Sequence, residues 1–285
     1  QNPPLPGLPA MDGGDATLEL TLADHPSGLT VIVSYTVYEE CDVITRHARI
    51  VNTTRETVRV NRALSASVDL GSMDYDLIGL RGAYLRERQG ERRPLRHGMQ
   101  ALESRRGASG HQMNPFLALA APNADEETGD VYGAALIYSG SFIASAEVDC
   151  FNMTRLQIGL NPFDFSWKLE PGERFVTPEA VLTYSAEGLG RMSRNFHTVF
   201  RGHLGKVKGT SRPNPIVINN WEATYFDFNE EKLCSLIRSC KGLGIDTFVL
   251  DDGWFGKRDD DTTSLGDWFV HRGKLPNGLK PVIDC

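Results

Sequence analysis

Cysteine is scarce in this 285-residue chain, and the few present are badly placed for chemistry. The five residues Cys41, Cys150, Cys234, Cys240 and Cys285 are scattered, odd in number and without a CxxC spacing. Neither a zinc site nor a disulfide framework is read from such a pattern. Long apolar runs are missing as well: none approaches the ~18 residues that span a bilayer, and no charged-then-apolar segment opens the chain. These absences exclude a membrane partner and favour the cytoplasm. Positive charge is in deficit, with a formal net charge of −7. A nucleic-acid partner is therefore excluded, because phosphate binding draws on clustered Lys and Arg. The one Arg-rich stretch, Arg81 to Arg106, alternates Arg86, Arg88, Arg92 and Arg93 with Glu87 and Glu91, which reads as a salt-bridged surface. Among seven histidines, His111 and His197 stand out, but neither has metal-ligand spacing to a partner, and no metal or organic cofactor is implied.

What is present is the composition of a packed protein, 40% hydrophobic and 24% charged, with length enough for about two domains. After a Pro-rich entry (Pro3, Pro4, Pro6, Pro9), the runs Thr17 to Leu22 and Thr30 to Val37 alternate with a two-residue period. That period puts one row of side chains on each face of a strand. Turn signals such as Ser27-Gly28 and Pro171-Gly172 separate many short runs of this kind, which predicts an all-β sandwich over residues 1–185. The period then changes. Gly188, Met192, Phe196, Phe200 and Leu204 recur once per helical turn, predicting a helical linker over residues 186–214 that ends at the Pro-containing stretch Ser211 to Pro215.

From residue 215 to 285 the pattern is strand, helix, strand. Ile216-Val217-Ile218 and Thr247-Phe248-Val249-Leu250 are apolar β-branched runs suited to strands buried on both faces. Between them Asp227 and Glu230 have capping-box spacing, Leu233, Leu236, Ile237, Cys240 and Leu243 form an apolar stripe, and Gly242 or Gly244 can end the helix. The strands begin about thirty residues apart, the length of one βαβ unit, so a parallel sheet is predicted. Pro281-Val282-Ile283 looks like the start of a further helix; with Gln1 in place of Met, both ends look cut.

In parallel α/β folds, functional residues gather where strands end at the carboxyl edge. The first strand ends in Asn219-Asn220-Trp221-Glu222 and the second in Asp251-Asp252-Gly253-Trp254-Phe255. Carboxylates accept hydrogen bonds from sugar hydroxyls and an indole covers the C–H face of the ring. Singly, Trp221 and Trp254 read as core aromatics and Asp251 and Asp252 as caps; together, at two strand ends, they read as a carbohydrate site. The run Asp259-Asp260-Asp261 lacks the glycine and terminal Glu of a calcium loop and reads as a solvated loop.

The segments Trp221 to Phe228, Phe248 to Asp261 and Leu265 to Phe269 closely resemble α-galactosidases of glycoside hydrolase family 36. The sandwich region resembles them too, in Asp42 to Arg46, Ala63 to Ser67, Glu103 to Gly107, Asn114-Pro115-Phe116 and Asn161 to Trp167. The resemblance implies a partial β-supersandwich followed by the first βαβ unit of a (β/α)₈ TIM barrel, in a homo-oligomeric parent protein. It implies an enzyme that removes terminal α-linked galactose from oligosaccharides with retention, and it places Trp221, Asp251 and Asp252 around the galactose. Roles for Trp254, Arg258 and Asp267 stay open. A retaining glycosidase needs a nucleophile and an acid/base carboxylate roughly 5 Å apart. In the family both are aspartates on later strands, so they are expected beyond Cys285, in an internal fragment that is itself inactive. Two alternatives stay open: an α-galactosyl transglycosylase of the same fold, since retention lets an acceptor other than water complete the reaction, and a carbohydrate-binding module in which the sandwich is the functional unit.

Overall fold

The computed structural model describes residues 8–204 and 214–285. Pro3, Pro4 and Pro6 of the entry segment, and most of the Ser211 to Pro215 stretch, lie outside the described residues. The chain forms two compact units, Gln1–Lys206 and Val207–Cys285. No helix among the described residues is long and apolar enough to cross a membrane.

The first unit is built of antiparallel strands. In chain order they are β1 (Ala16–Asp24), β2 (Leu29–Tyr38), β3 (Val43–Asn52), β4 (Val58–Val60), β5 (Leu64–Leu70), β6 (Asp76–Ala83), β7 (Arg86–Pro94), β8 (Gly98–Glu103), β9 (Phe116–Ala120) and β10 (Val131–Ile137). They continue as β11 (Phe142–Val148), β12 (Thr154–Leu160), β13 (Trp167–Leu169), β14 (Arg174–Val176) and β15 (Glu179–Ser185). A nine-stranded sheet runs β1-β2-β3-β15-β10-β9-β6-β7, with β14 also on β3, and a three-stranded sheet runs β11-β12-β5. The predicted turns are present, with Gly28 and Gly172 at φ 65° and 79°, a region that glycine enters without steric cost.

Alternation explains how the large sheet is covered on both sides. In β9 the larger Leu117 and Leu119 point into a core shared with Ala134, Leu136, Phe142, Leu156 and Ile158. The smaller Ala118 and Ala120 face the opposite side, with Val131, Ala135 and Val181, against helix α1 (Gly188–Val199). Met192, Phe196 and Val199 are buried there, so the helix belongs to the core of this unit. Its last turn widens into a π-helical segment, Phe200–Leu204.

Gly133 sets how closely the helix lies. A Cβ there would stand 2.7 Å from Phe196 Cε2 and 2.8 Å from Met192 Sδ. Gly133→Ala is therefore expected to cost about 1–3 kcal/mol through overpacking, seen as a lower urea midpoint at unchanged slope. An unchanged midpoint would mean that the helix is not held this tightly.

The Arg-rich stretch is the salt-bridged surface expected of it: Arg92 meets Asp76 at 2.7 Å, Arg81 meets Glu91 at 3.2 Å and Arg105 meets Glu103 at 2.7 Å. By contrast, the edge strand β1 is exposed along its whole length, with Leu18, Leu20 and Leu22 in one row.

The second unit contains β16 (Val217–Asn219), a single helical turn α2 (Trp221–Thr224), α3 (Glu230–Cys240), β17 (Thr247–Val249) and α4 (Lys280–Asp284). The two strands pair in parallel, Val217 beside Thr247 and Asn219 beside Val249. Phe228, Leu233, Leu275 and Val282 make its core.

Four expectations are corrected here. The strands are not buried on both faces: Val217 is 50% and Val249 37% exposed, because a pair of strands has too few neighbours to cover both sides. The cap of α3 is Asn229, whose side chain accepts the Lys232 N–H at 2.9 Å; Asp227 lies two residues too early. Leu243 falls beyond the end of α3 and is exposed. Finally, Cys234 and Cys285 are disulfide-bonded, with Cα atoms 5.7 Å apart. Packing of Leu233 on α3 against Val282 on α4 brings them together, a proximity that a separation of 51 residues conceals.

Short strands with open faces also predict local dynamics. Amides of β16 and β17 are expected to exchange with solvent much faster than those of β9 and β10, because few buried contacts oppose local opening. Equal protection in both units would contradict this.

Candidate functional site

The site grows out of the end of the parallel pair. Past β16 the buried Asn220 acts as a clamp: its Oδ1 accepts the Asp251 N–H at 2.8 Å and its Nδ2 donates to Thr224 Oγ1 at 2.9 Å. Asn219 joins the two predicted halves. Its Oδ1 accepts the Trp221 N–H at 2.7 Å, while its Nδ2 donates to Asp251 Oδ2 at 2.5 Å. Trp221 is half-buried and packs edge-on against Phe226, ring centres 4.9 Å apart. The structure thus brings Trp221 and Asp251 to one strand edge.

Asp252 follows at once. Both aspartates lie beyond the last strand residue, Val249, so the rule that strand neighbours face opposite ways does not bind them. Gly253, at φ 89°, turns the chain immediately afterwards. Asp252 Oδ1 accepts from Arg258 Nε at 2.5 Å and from the Gly253 N–H at 2.7 Å. Among the described residues both donors to this carboxylate go to Oδ1 and none to Oδ2. The Arg258 guanidinium, aided by the Gly253 N–H and the nearby Lys274, holds the Asp252 carboxyl below its usual range despite the opposing effect of burial. Any stability this depression contributes is fully present above the unfolded value near 3.9 and is lost as pH falls through the lower folded value.

The loop behind Asp252 is internally braced. Lys274 Nζ donates to the carbonyls of Arg258 at 2.8 Å and Gly253 at 3.2 Å. Asp259 pairs with Lys274 at 3.3 Å and His271 at 3.2 Å, and Asp260 accepts the Thr262 N–H, so the acidic run organises this loop. Trp254 sits elsewhere. It packs on the apolar core with Phe248 and Leu250, and it lines a cavity of about 500 Å³ with Ile237 and Leu279.

Asn220, Arg258 and Lys274 are the residues whose work the sequence did not disclose. An asparagine pair directly after an apolar run was the visible signal for the first. Elsewhere, among the described residues, Glu40, Cys41 and His203 bring three metal-type donor atoms within 4.8 Å of one another, in the first unit. Neither His111 nor His197 belongs to that group.

A β-sandwich unit, then a parallel β/α unit with its polar residues gathered where the strands end, is the layout of a sandwich domain followed by the start of a barrel or doubly wound α/β domain. Comparison with known proteins makes the class specific. The Glycosyl hydrolase family 36 N-terminal domain matches residues 1–170, and the Melibiase domain matches residues 174–285. The chain belongs to glycosyl hydrolase family 36. It is 56% identical over 281 residues to the α-galactosidase AgaA of Geobacillus stearothermophilus, and 43% identical to the α-galactosidase Mel36A of Lactobacillus acidophilus. The matches cover 97% and 99% of this chain but only 38% and 39% of those proteins. A crystal structure of AgaA in complex with stachyose superposes with a TM-score of 0.93 at 54% identity, over 99% of this chain and 40% of that one.

Proposed function

We propose that this chain is the galactose-holding part of a retaining α-galactosidase, with Trp221 covering the apolar face of the sugar and Asp251 and Asp252 accepting its hydroxyls. The observation that carries the reading is the pair of aspartates just past β17, one tied to Asn219 and the other kept ionised by Arg258. An ionised carboxylate with one oxygen anchored offers a fixed, charge-assisted acceptor. Family membership supports the same reading, as do relatives named as α-galactosidases and solved relatives in complex with stachyose and raffinose. The nucleophile and the acid/base belong to later barrel strands of a longer protein, since the chain spans about two-fifths of the relatives' length. The test is to extend the chain to the relatives' full length and offer α- and β-linked galactosides. Release of galactose from the α-anomer alone is expected; failure on both would overturn the proposal.

A sandwich domain that takes in helix α1, which the sequence pattern reads as the start of a linker over residues 186–214, and assembly into a homo-oligomer are part of the same proposal. Exposed Leu18, Leu20 and Leu22 on an edge strand support assembly, because such edges are normally covered. Light scattering of the extended protein checks it.

A further inference from the structure

The residue behind the site that does most with least exposure is Arg258. It is only 4% exposed. Its Nε donates to Asp252 Oδ1 at 2.5 Å and its Nη1 to the Thr263 carbonyl at 2.5 Å. Its guanidinium carbon lies 5.7 Å from the centre of the Phe226 ring and 5.9 Å from that of Phe255. Phe226 in turn abuts the Trp221 indole, with ring centres 4.9 Å apart. One buried cation therefore touches the carboxylate side of the site directly and the aromatic side through a single ring.

Burial of a guanidinium is unfavourable unless its donors are taken up, and here two of them are fixed by groups on either side of a tight loop. The arrangement does more than hold the loop shut. With Oδ1 occupied, the torsion of the Asp252 carboxylate is set, and Oδ2 is the oxygen left to a ligand. We propose that Arg258 is a positioning residue, fixing the Asp252 carboxylate and, through Phe226, the Trp221 indole, so that both meet one galactose ring. This rests on the galactose-holding reading above.

A role confined to folding the loop makes different demands, and three variants of the extended protein separate the two. Arg258→Gln is expected to lower kcat/KM for a chromogenic α-galactoside at least tenfold. Its acid limb is expected to move to higher pH, because a carboxyl relieved of the guanidinium ionises closer to its ordinary range. Asp252→Asn lowers kcat/KM by itself, and in the double variant Asp252→Asn/Arg258→Gln the combined loss is expected to fall well short of the product of the two single losses, since Arg258 acts mainly through the side chain at position 252. Losses that multiply in the double variant, or an acid limb that stays in place, would overturn the proposal and leave Arg258 a purely structural residue. Wild-type kinetics in Asp252→Asn would instead remove the galactose-holding reading itself. Should Arg258→Gln fail to fold, Arg258→Lys keeps the buried charge but offers one ammonium to two acceptors. It is subject to the same pH profile and the same pairing with Asp252→Asn.

Discussion

Purified as residues 1–285, the chain is expected to leave a chromogenic α-galactoside at its background rate of hydrolysis, while a chain extended through the barrel turns it over. Retention requires a nucleophile and a general acid facing each other across the glycosidic bond, roughly 5 Å apart. A general acid must hold a proton near neutral pH, which calls for a carboxyl pushed upward. The carboxyls of the second unit with a resolved perturbation, Asp252, Asp259 and Asp260, are all pushed downward by hydrogen bonds from Arg258, Lys274 and Thr262 respectively. They are built to stay charged. Interactions that grip ground state and transition state alike do not lower the barrier of the chemical step, so a site of acceptors alone binds without turnover. The full enzymatic acceleration, on the order of 10⁶ or more, is thus expected to separate the two chains. Hydrolysis by residues 1–285 that disappears in Asp251→Asn would show that the acceptors are themselves the catalytic pair.

In the extended enzyme, Asp252→Asn is expected to lower kcat/KM by roughly ten- to a hundredfold, the equivalent of about 1.5–3 kcal/mol for a lost charge-assisted hydrogen bond. Asparagine is the informative substitution because its carbonyl can still accept the Arg258 Nε–H. Alanine would leave a nearly buried guanidinium without its carboxylate and would add a stability loss of up to about 3–5 kcal/mol. The two variants therefore divide the effect. Calorimetry should find Asp252→Asn close to wild type in thermal midpoint and Asp252→Ala clearly below it. Near-normal kinetics in both would remove Asp252 from the substrate site.

Much of this organisation is legible in the sequence, for reasons that are local. The alternation of Thr17 to Leu22 is the register of β1 against β2, and the one-per-turn recurrence of Met192 and Phe196 is the buried stripe of α1. Strand ends are equally readable, so Trp221, Trp254, Asp251 and Asp252 stand out by chain position, and the resemblance to the family is what separates Trp254 from the other three. What escaped depends on contacts made at a distance. Asn220 acts on Asp251 from 31 residues away, and Lys274 braces Gly253 from 21 residues away. No spacing rule encodes such pairs. Asp227 and Glu230 fit the spacing of a capping box, but Asn229 is the residue adjacent to the first helical turn, and the hydrogen bond goes there.

The strand order of the large sheet bears on how the protein is made. β15 lies between β3 and β10, pairing Ala180 with Arg46 on one side and Val131 with Ser185 on the other. The middle of the sheet thus waits for a strand synthesised almost last in its unit, and closing that gap ties off a loop of roughly 130 residues. Hairpins such as β1-β2 and β11-β12 form early from neighbouring segments, but the sheet cannot join until residue 185 has left the ribosome. Until then β3 and β10 present unpaired edges, the kind of surface that chaperones attend to. Refolding should accordingly be slow, in the millisecond-to-second range typical of non-local β pairing, and a nascent chain stopped before residue 179 should be captured rather than folded.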